Sequence, residues 1–179
     1  CNGCPRLPAM DDLTLALELA DAADSISMDR FQASDLVIET KPDMTPVSDA
    51  DRAVERALRE LLAKHRPEDA IHGEEYGTTD GNRQWILDPI DGTKSFVRGV
   101  PVWGTLIGLR EGESVTTGVV SAPALGRRWW ASSDLGAYCS APGRTKPHGP
   151  LSVSAIHNIA DASFAFSDAI GWEPDTFQR

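Results

Sequence analysis

No apolar run in this chain approaches the roughly 20 residues that a bilayer-crossing helix needs, and the first residues lack the basic and then apolar segments of a secretory leader. Basic residues are in short supply, with 17 Lys and Arg against 27 Asp and Glu and a formal charge of −10. A field of that sign opposes nucleic acid and anionic lipid. It also repels a phosphate ester unless bound cations offset it. Cysteine is scarce too: Cys1, Cys4 and Cys139 make no disulfide framework, and Cys1-x-x-Cys4 has no second pair or following βαβ pattern. That pair is read as part of an incidental upstream tail, residues 1–9. Repeats and low-complexity tracts are absent. The expectation is a soluble, cytoplasmic protein that binds neither nucleic acid nor membrane.

What is present suits a globular fold: 179 residues, 41% of them hydrophobic, enough for one domain and part of another. From Asp11 to about Arg30, Leu13, Ala16, Leu17, Ala20 and Ala23 recur at helical spacing, with Asp11 or Asp12 as N-cap. Val37 and Ile38 begin a short strand that ends in turns at Lys41-Pro42-Asp43 and Thr45-Pro46. A second helix gathers Val54, Ala57, Leu58, Leu61 and Leu62 on one face, with charges opposite, and stops before Pro67. Ser48 followed by Asp51 reads as its capping arrangement. Trp103–Leu109, Ser114–Ser121 and Arg127–Ser132 read as an antiparallel meander.

The expected fold is therefore α+β, a layered sandwich with N-terminal helices on one face of an antiparallel sheet. Residues 10–145 form the first domain. The Pro- and Gly-rich stretch 140–150 marks a boundary. Residues 150–179 then begin a second α/β domain, with strands expected at Leu151–Ser154 and Ala162–Ser167.

The chemistry concentrates in Asp88-Pro89-Ile90-Asp91-Gly92-Thr93, preceded by Gly73-Glu74-Glu75. Residues 84–88 read as a buried strand ending at a carboxylate, and Pro89 predicts that the strand stops there and the chain turns. Asp91 then returns beside Asp88. Two carboxylates that close raise each other's pKa unless a cation or a shared proton intervenes. Oxygen donors without a neighbouring Cys or His suit magnesium, with manganese as an alternative. Gly92 allows close backbone approach, and a helical turn opening at Thr93 offers N–H groups to an anion. A helix-loop-helix calcium loop does not fit, because 88–99 lacks acidic residues at alternate positions and a closing glutamate.

Three blocks, Gly73-Glu74-Glu75, Trp85 to Thr93, and Gly118 to Pro123 leading to Gly136-Ala137, resemble the inositol monophosphatase family of metal-dependent phosphatases. The stretches 46–55 and 93–103 are most similar to its bacterial histidinol-phosphatase branch. The resemblance implies a magnesium-dependent hydrolysis of a small phosphomonoester, with L-histidinol phosphate first and inositol monophosphate or a related sugar or nucleotide phosphate as the alternative. It further implies metal ligation by Glu74, Asp88, the Ile90 carbonyl and Asp91, and alignment of the attacking water by Glu74 and Thr93. Asp51 would orient the Thr93 hydroxyl; by its position alone it caps a helix. Asp91 and the Gly92 and Thr93 backbone would take the phosphate.

The family pattern also needs a later aspartate in a Trp-Asp or Gly-Asp context. Neither Asp168 nor Asp175 sits in that context, so a truncated chain of doubtful activity is expected, or an inactive fragment. Among other residues, Lys41 is taken as solvated, the alternative being a place near the phosphate if its loop folds over the site, His65 as a partner of its helix C-terminus, and Trp129 and Trp130 as sheet packing. Arg98 and Trp103 are candidates for the pocket border, His72 has no role, and a homodimer is left open.

Overall fold

The computed structural model describes residues 10–143 and 145–163. Two helices, α1 (Asp12–Arg30) and α2 (Asp49–His65), cover one face of a seven-stranded sheet in the order β4-β3-β5-β6-β7-β8-β9. The strands are β3 (Ala70–Gly73), β4 (Gly77–Thr78), β5 (Arg83–Asp91), β6 (Gly104–Glu111), β7 (Ser114–Ala122), β8 (Arg127–Ser132) and β9 (Gly136–Ser140). A separate hairpin, β1 (Ile38–Thr40) with β2 (Pro46–Ser48), joins the two helices. A one-and-a-half-turn helix, α3 (Thr93–Val97), follows β5.

The helices form where spacing and caps predict them. The Asp11 carboxylate accepts from the Thr14 N–H at 2.8 Å and opens α1, and Ser48 with Asp51 makes a complete capping box for α2. Leu15, Leu19 and Ala23 of α1 and Val54, Leu58 and Leu62 of α2 meet Trp85, Leu87, Ile107 and Leu109 of the sheet in one buried core. Each fully buried leucine contributes about 1.5–3 kcal/mol, so this face fixes the register of β5 against the helices. The innermost α1 leucines are Leu15 and Leu19; Leu13 and Leu17 lie at the margin of the core.

Three expectations change. The sheet is mixed rather than wholly antiparallel, because β3 pairs parallel with β5; α2 returns the chain only as far as β3, and the short β4 lies between β3 and β5 in sequence. Pro89 does not end β5, which continues to Asp91. Leu151–Ser154 is not a strand; among the described residues its backbone tie is the Leu151 N–H to the Ala137 carbonyl, at 2.7 Å. The strand expected at Ala162–Ser167, and Asp168 and Asp175, lie wholly or largely outside the described residues.

Candidate active site

The register of β5 against β6 explains how two aspartates three residues apart come to share a face. Asp88 stands opposite Leu106 and Asp91 opposite Gly104, so three steps on β5 match two on β6. That extra residue is a β-bulge. Without it, Asp88 and Asp91 would point to opposite faces; with it, they lie on the same one. Pro89 suits the interruption because it has no N–H to give to the ladder, and its carbonyl accepts from the Thr105 hydroxyl at 2.8 Å. Ile90 turns inward to a second core with Ala50, Phe96 and Trp103.

Immediately after the bulge, Gly92 takes a left-handed conformation (φ 88°), and a Cβ there would lie 3.1 Å from the Val102 carbonyl oxygen. Only glycine holds that position without strain. Below it, Phe31, Phe96 and Trp103 pack with centroids 4.9 to 5.5 Å apart and anchor α3. Trp103 is thus core, not a border of the pocket. The anchored turn places the Thr93 hydroxyl 3.0 Å from the Ile90 carbonyl and 3.2 Å from Asp51 Oδ1. Asp51 therefore caps α2 and also lies within hydrogen-bond reach of the Thr93 hydroxyl. Its Oδ2 accepts from the Ser48 N–H at 2.8 Å and the Ser48 hydroxyl at 2.6 Å. Burial pushes the Asp51 carboxyl above its usual range, and the Ser48 bonds partly counter this.

The acidic face is crowded. Burial first, then the charge of Glu74 and a hydrogen bond with it, and then the charges of Asp91 and Asp51, push Asp88 up to about 8. Asp88 Oδ1 is buried with no partner. Lys41 is not a solvated side chain: its ammonium donates to Glu74 Oε1 at 2.7 Å and Glu75 Oε1 at 2.6 Å. Burial opposes its charge, but those two carboxylates outweigh it and hold Lys41 above the ordinary lysine value. Glu75 is raised by burial despite Lys41. The solvated reading of Lys41 thus gives way to the alternative in which its loop folds over, here onto Glu74 and Glu75.

The structure brings together Asp51 with Thr93, Thr93 with the Ile90 carbonyl, and Glu74 with Asp88. Asp91 stands exposed at the end of β5. As they stand, no three His, Cys, Asp or Glu side chains among the described residues are close enough to hold an ion. The chemistry nevertheless fits a hard divalent cation: the donors are all oxygen, their negative charge exceeds that of Lys41, and the orphaned Asp88 oxygen lacks only a positive partner. His72 is tied to Thr78 on the sheet edge, 2.6 Å from Nδ1 to Oγ1, and takes no part. His65 sits in the last turn of α2, as expected.

Residues 10–173 match the inositol monophosphatase family. The chain belongs to that family. It is 56% identical over 169 residues to a histidinol-phosphatase of Streptomyces coelicolor, covering 92% of this chain and 63% of that protein. A Mycobacterium tuberculosis histidinol-phosphatase is 57% identical over 164 residues, 90% of this chain and 62% of that one. The chain thus spans a little over three fifths of the length of these curated relatives. Among solved structures, the Thermotoga maritima IMPase superposes with a TM-score of 0.68 at 32% identity, over 75% of this chain and 52% of that one. An inositol monophosphatase from Zymomonas mobilis gives 0.62 at 41%, over 76% and 53%. Family membership accounts for the mixed sheet under two helices, and no helix among the described residues is long and apolar enough to cross a membrane.

On the sheet face away from the helices, Ile86, Leu106, Val120 and Trp129 line an apolar hollow of about 580 Å³, with Asp88 on its margin; Trp130, opposite Val119, packs on the helix side. Trp129 and Trp130 are half-buried sheet residues, and Trp130 stacks with Tyr138 at 6.3 Å.

Proposed function

We propose that the chain carries the metal-binding half of a magnesium-dependent phosphomonoesterase, manganese being accepted, whose substrate is L-histidinol phosphate. The observation that carries the reading is the buried, unpartnered Asp88 oxygen inside a carboxylate cluster, in a chain 56–57% identical to two histidinol-phosphatases. Glu74, Asp88, the Ile90 carbonyl and Asp91 would hold the cation, and Asp91, Gly92 and Thr93 would receive the phosphate. A bound divalent cation supplies charge neutralisation at the phosphoryl oxygens and lowers the pKa of water.

The chain's own residues then have distinct tasks. The Thr93 hydroxyl has one proton and two acceptors beneath it, Asp51 Oδ1 and the Ile90 carbonyl. Its donor is committed inward, so a lone pair faces outward to accept a hydrogen bond from a water. Glu74, on the other side of Asp88, is the second group that orients that water. Attack by that water forms a new P–O bond and breaks the ester P–O bond; one water proton ends on the leaving histidinol oxygen and the other stays with the phosphate. The Gly92 backbone, free of a Cβ, lets the phosphate approach.

Asp91→Asn tests the reading, since it keeps the shape and removes the charge. The expected result is loss of activity, about 10²-fold or more, with a higher magnesium requirement. Activity and magnesium dependence equal to the unmodified chain would reject it. A panel of histidinol phosphate, inositol monophosphate, fructose bisphosphate and adenosine bisphosphate, with a chain as long as the relatives, identifies the substrate.

A further inference from the structure

Glu55 is the most deeply buried carboxylate in the described part of the molecule, 0% exposed, and lies outside every role assigned above. Its position on α2 is one turn after Asp51, so the two project from the same side of the helix. Glu55 Oε2 accepts from the Glu75 N–H at 2.7 Å, and Oε1 accepts from the Tyr76 N–H at 3.2 Å. Arg59, one turn further on, donates to Oε1 at 2.8 Å and to the Gly77 carbonyl at 2.5 Å. Gly73 closes the other side, where a Cβ would stand 1.9 Å from Glu55 Oε1. A buried charge costs several kcal/mol unless it is fully bonded, and this one is met by two backbone N–H groups of the turn that carries Glu74 and Glu75 and by Arg59.

We infer that Glu55 is a positioning residue: its carboxylate clamps the 73–77 turn and thereby aims Glu74 at the cation while Glu75 stays paired with Lys41. With Asp51 holding Thr93, helix α2 aligns both walls of the site from two successive turns. The glycine at 73 is explained by the same contact, because any larger residue displaces the clamp. This rests on the metal-site reading proposed above.

Glu55→Gln tests it, because the amide fits the space but offers one acceptor where two N–H groups must be met. Titration of the full chain with Mn²⁺ alone, free ion being followed by electron paramagnetic resonance, is expected to show affinity about tenfold weaker, in the range seen when groups supporting metal ligands are lost. Circular dichroism of the variant should stay native. Gly73→Ala, which displaces the same carboxylate from the other side, should weaken Mn²⁺ similarly, and the double variant should be no worse than either single one. In the unmodified chain, the Glu75 and Tyr76 amides should exchange with deuterium as slowly as core strand amides.

A folded Glu55→Gln chain that binds Mn²⁺ as tightly as the original, while Asp91→Asn does not, overturns the clamp alone. Fast exchange at Glu75 and Tyr76 overturns it even if the variant does not fold. Absence of Mn²⁺ binding by the unmodified chain overturns the clamp and the metal reading together.

Discussion

Asp51 and Thr93, 42 residues apart in sequence, meet with Oδ1 3.2 Å from Oγ1, and this contact joins the first turn of α2 to the first turn of α3. One carboxylate thus serves two elements, capping a helix through Oδ2 and facing the candidate catalytic hydroxyl through Oδ1. Asp51→Asn should therefore have two separable effects. Weaker capping by an amide oxygen in place of the carboxylate should cost about 1 kcal/mol of stability, seen as a lower Tm. Turnover should fall by a larger factor, about 10²-fold, at a temperature where the variant is fully folded. Equal small losses in both would reduce Asp51 to a cap.

Thr93 offers a sharper version of the same test. Thr93→Ser keeps the hydroxyl over the Ile90 carbonyl and should retain most activity. Thr93→Val keeps the volume and removes the hydroxyl that orients the water, so kcat should fall about 10²-fold with KM little changed. Steady-state kinetics at saturating magnesium decides between them.

The crowding of Asp88 predicts an unusual pH dependence in the metal-free chain. Its folded pKa of about 8 lies above the ordinary carboxyl value of 3.8, so between those limits the folded state binds more protons than the unfolded one. Stability then falls as pH rises through that window. Allowing for solvent screening, the loss is roughly 2 kcal/mol between pH 5 and 8. Urea titrations across that range should show it, magnesium should restore stability at the alkaline end, and Asp88→Asn should flatten the profile.

Lys41 bridges Glu74 and Glu75, and neutralising it leaves a nearly buried Glu75 without a counter-charge. Lys41→Met should destabilise the metal-free chain by about 2 kcal/mol, less than a fully buried pair would lose. Added magnesium should raise Tm more in the variant than in the original, because the ion then supplies the only positive charge there. Differential scanning calorimetry with and without magnesium measures both quantities.

Gly92→Ala should be costly although it adds a single methyl group. The position needs φ 88°, and the new Cβ would press on the Val102 carbonyl at 3.1 Å. The strain is on the order of 1–3 kcal/mol, and relief by shifting α3 would carry Thr93 away from Asp51. Stability and activity should fall together, unlike in Thr93→Val.

Both long helices, their caps, the meander of β6 to β8 and the carboxylate cluster were legible in the chain because each rests on local rules: apolar spacing, turn residues, and a short run of like charges that requires a cation. Asp11 and Ser48 mark helix starts through their own hydrogen-bonding capacity, and Pro67 marks an end because it has no N–H to give, all without tertiary help. The family, too, was legible from three short blocks.

Other features were decided by parts of the chain remote from them. Pro89 predicts a stop, but the pairing of β6 with β5 keeps the strand going and absorbs the proline as a bulge, which sets Asp88 and Asp91 on one face. Glu55 looks like an ordinary surface charge on a helix until the 73–77 turn closes over it and supplies two N–H groups. Lys41 looks solvated until its hairpin brings it to Glu74 and Glu75, and Trp103 looks like a pocket residue until Phe31 and Phe96 enclose it. Residue type and spacing determine which groups a segment can offer; which of them are buried, paired or left without a partner depends on what the rest of the fold brings against them.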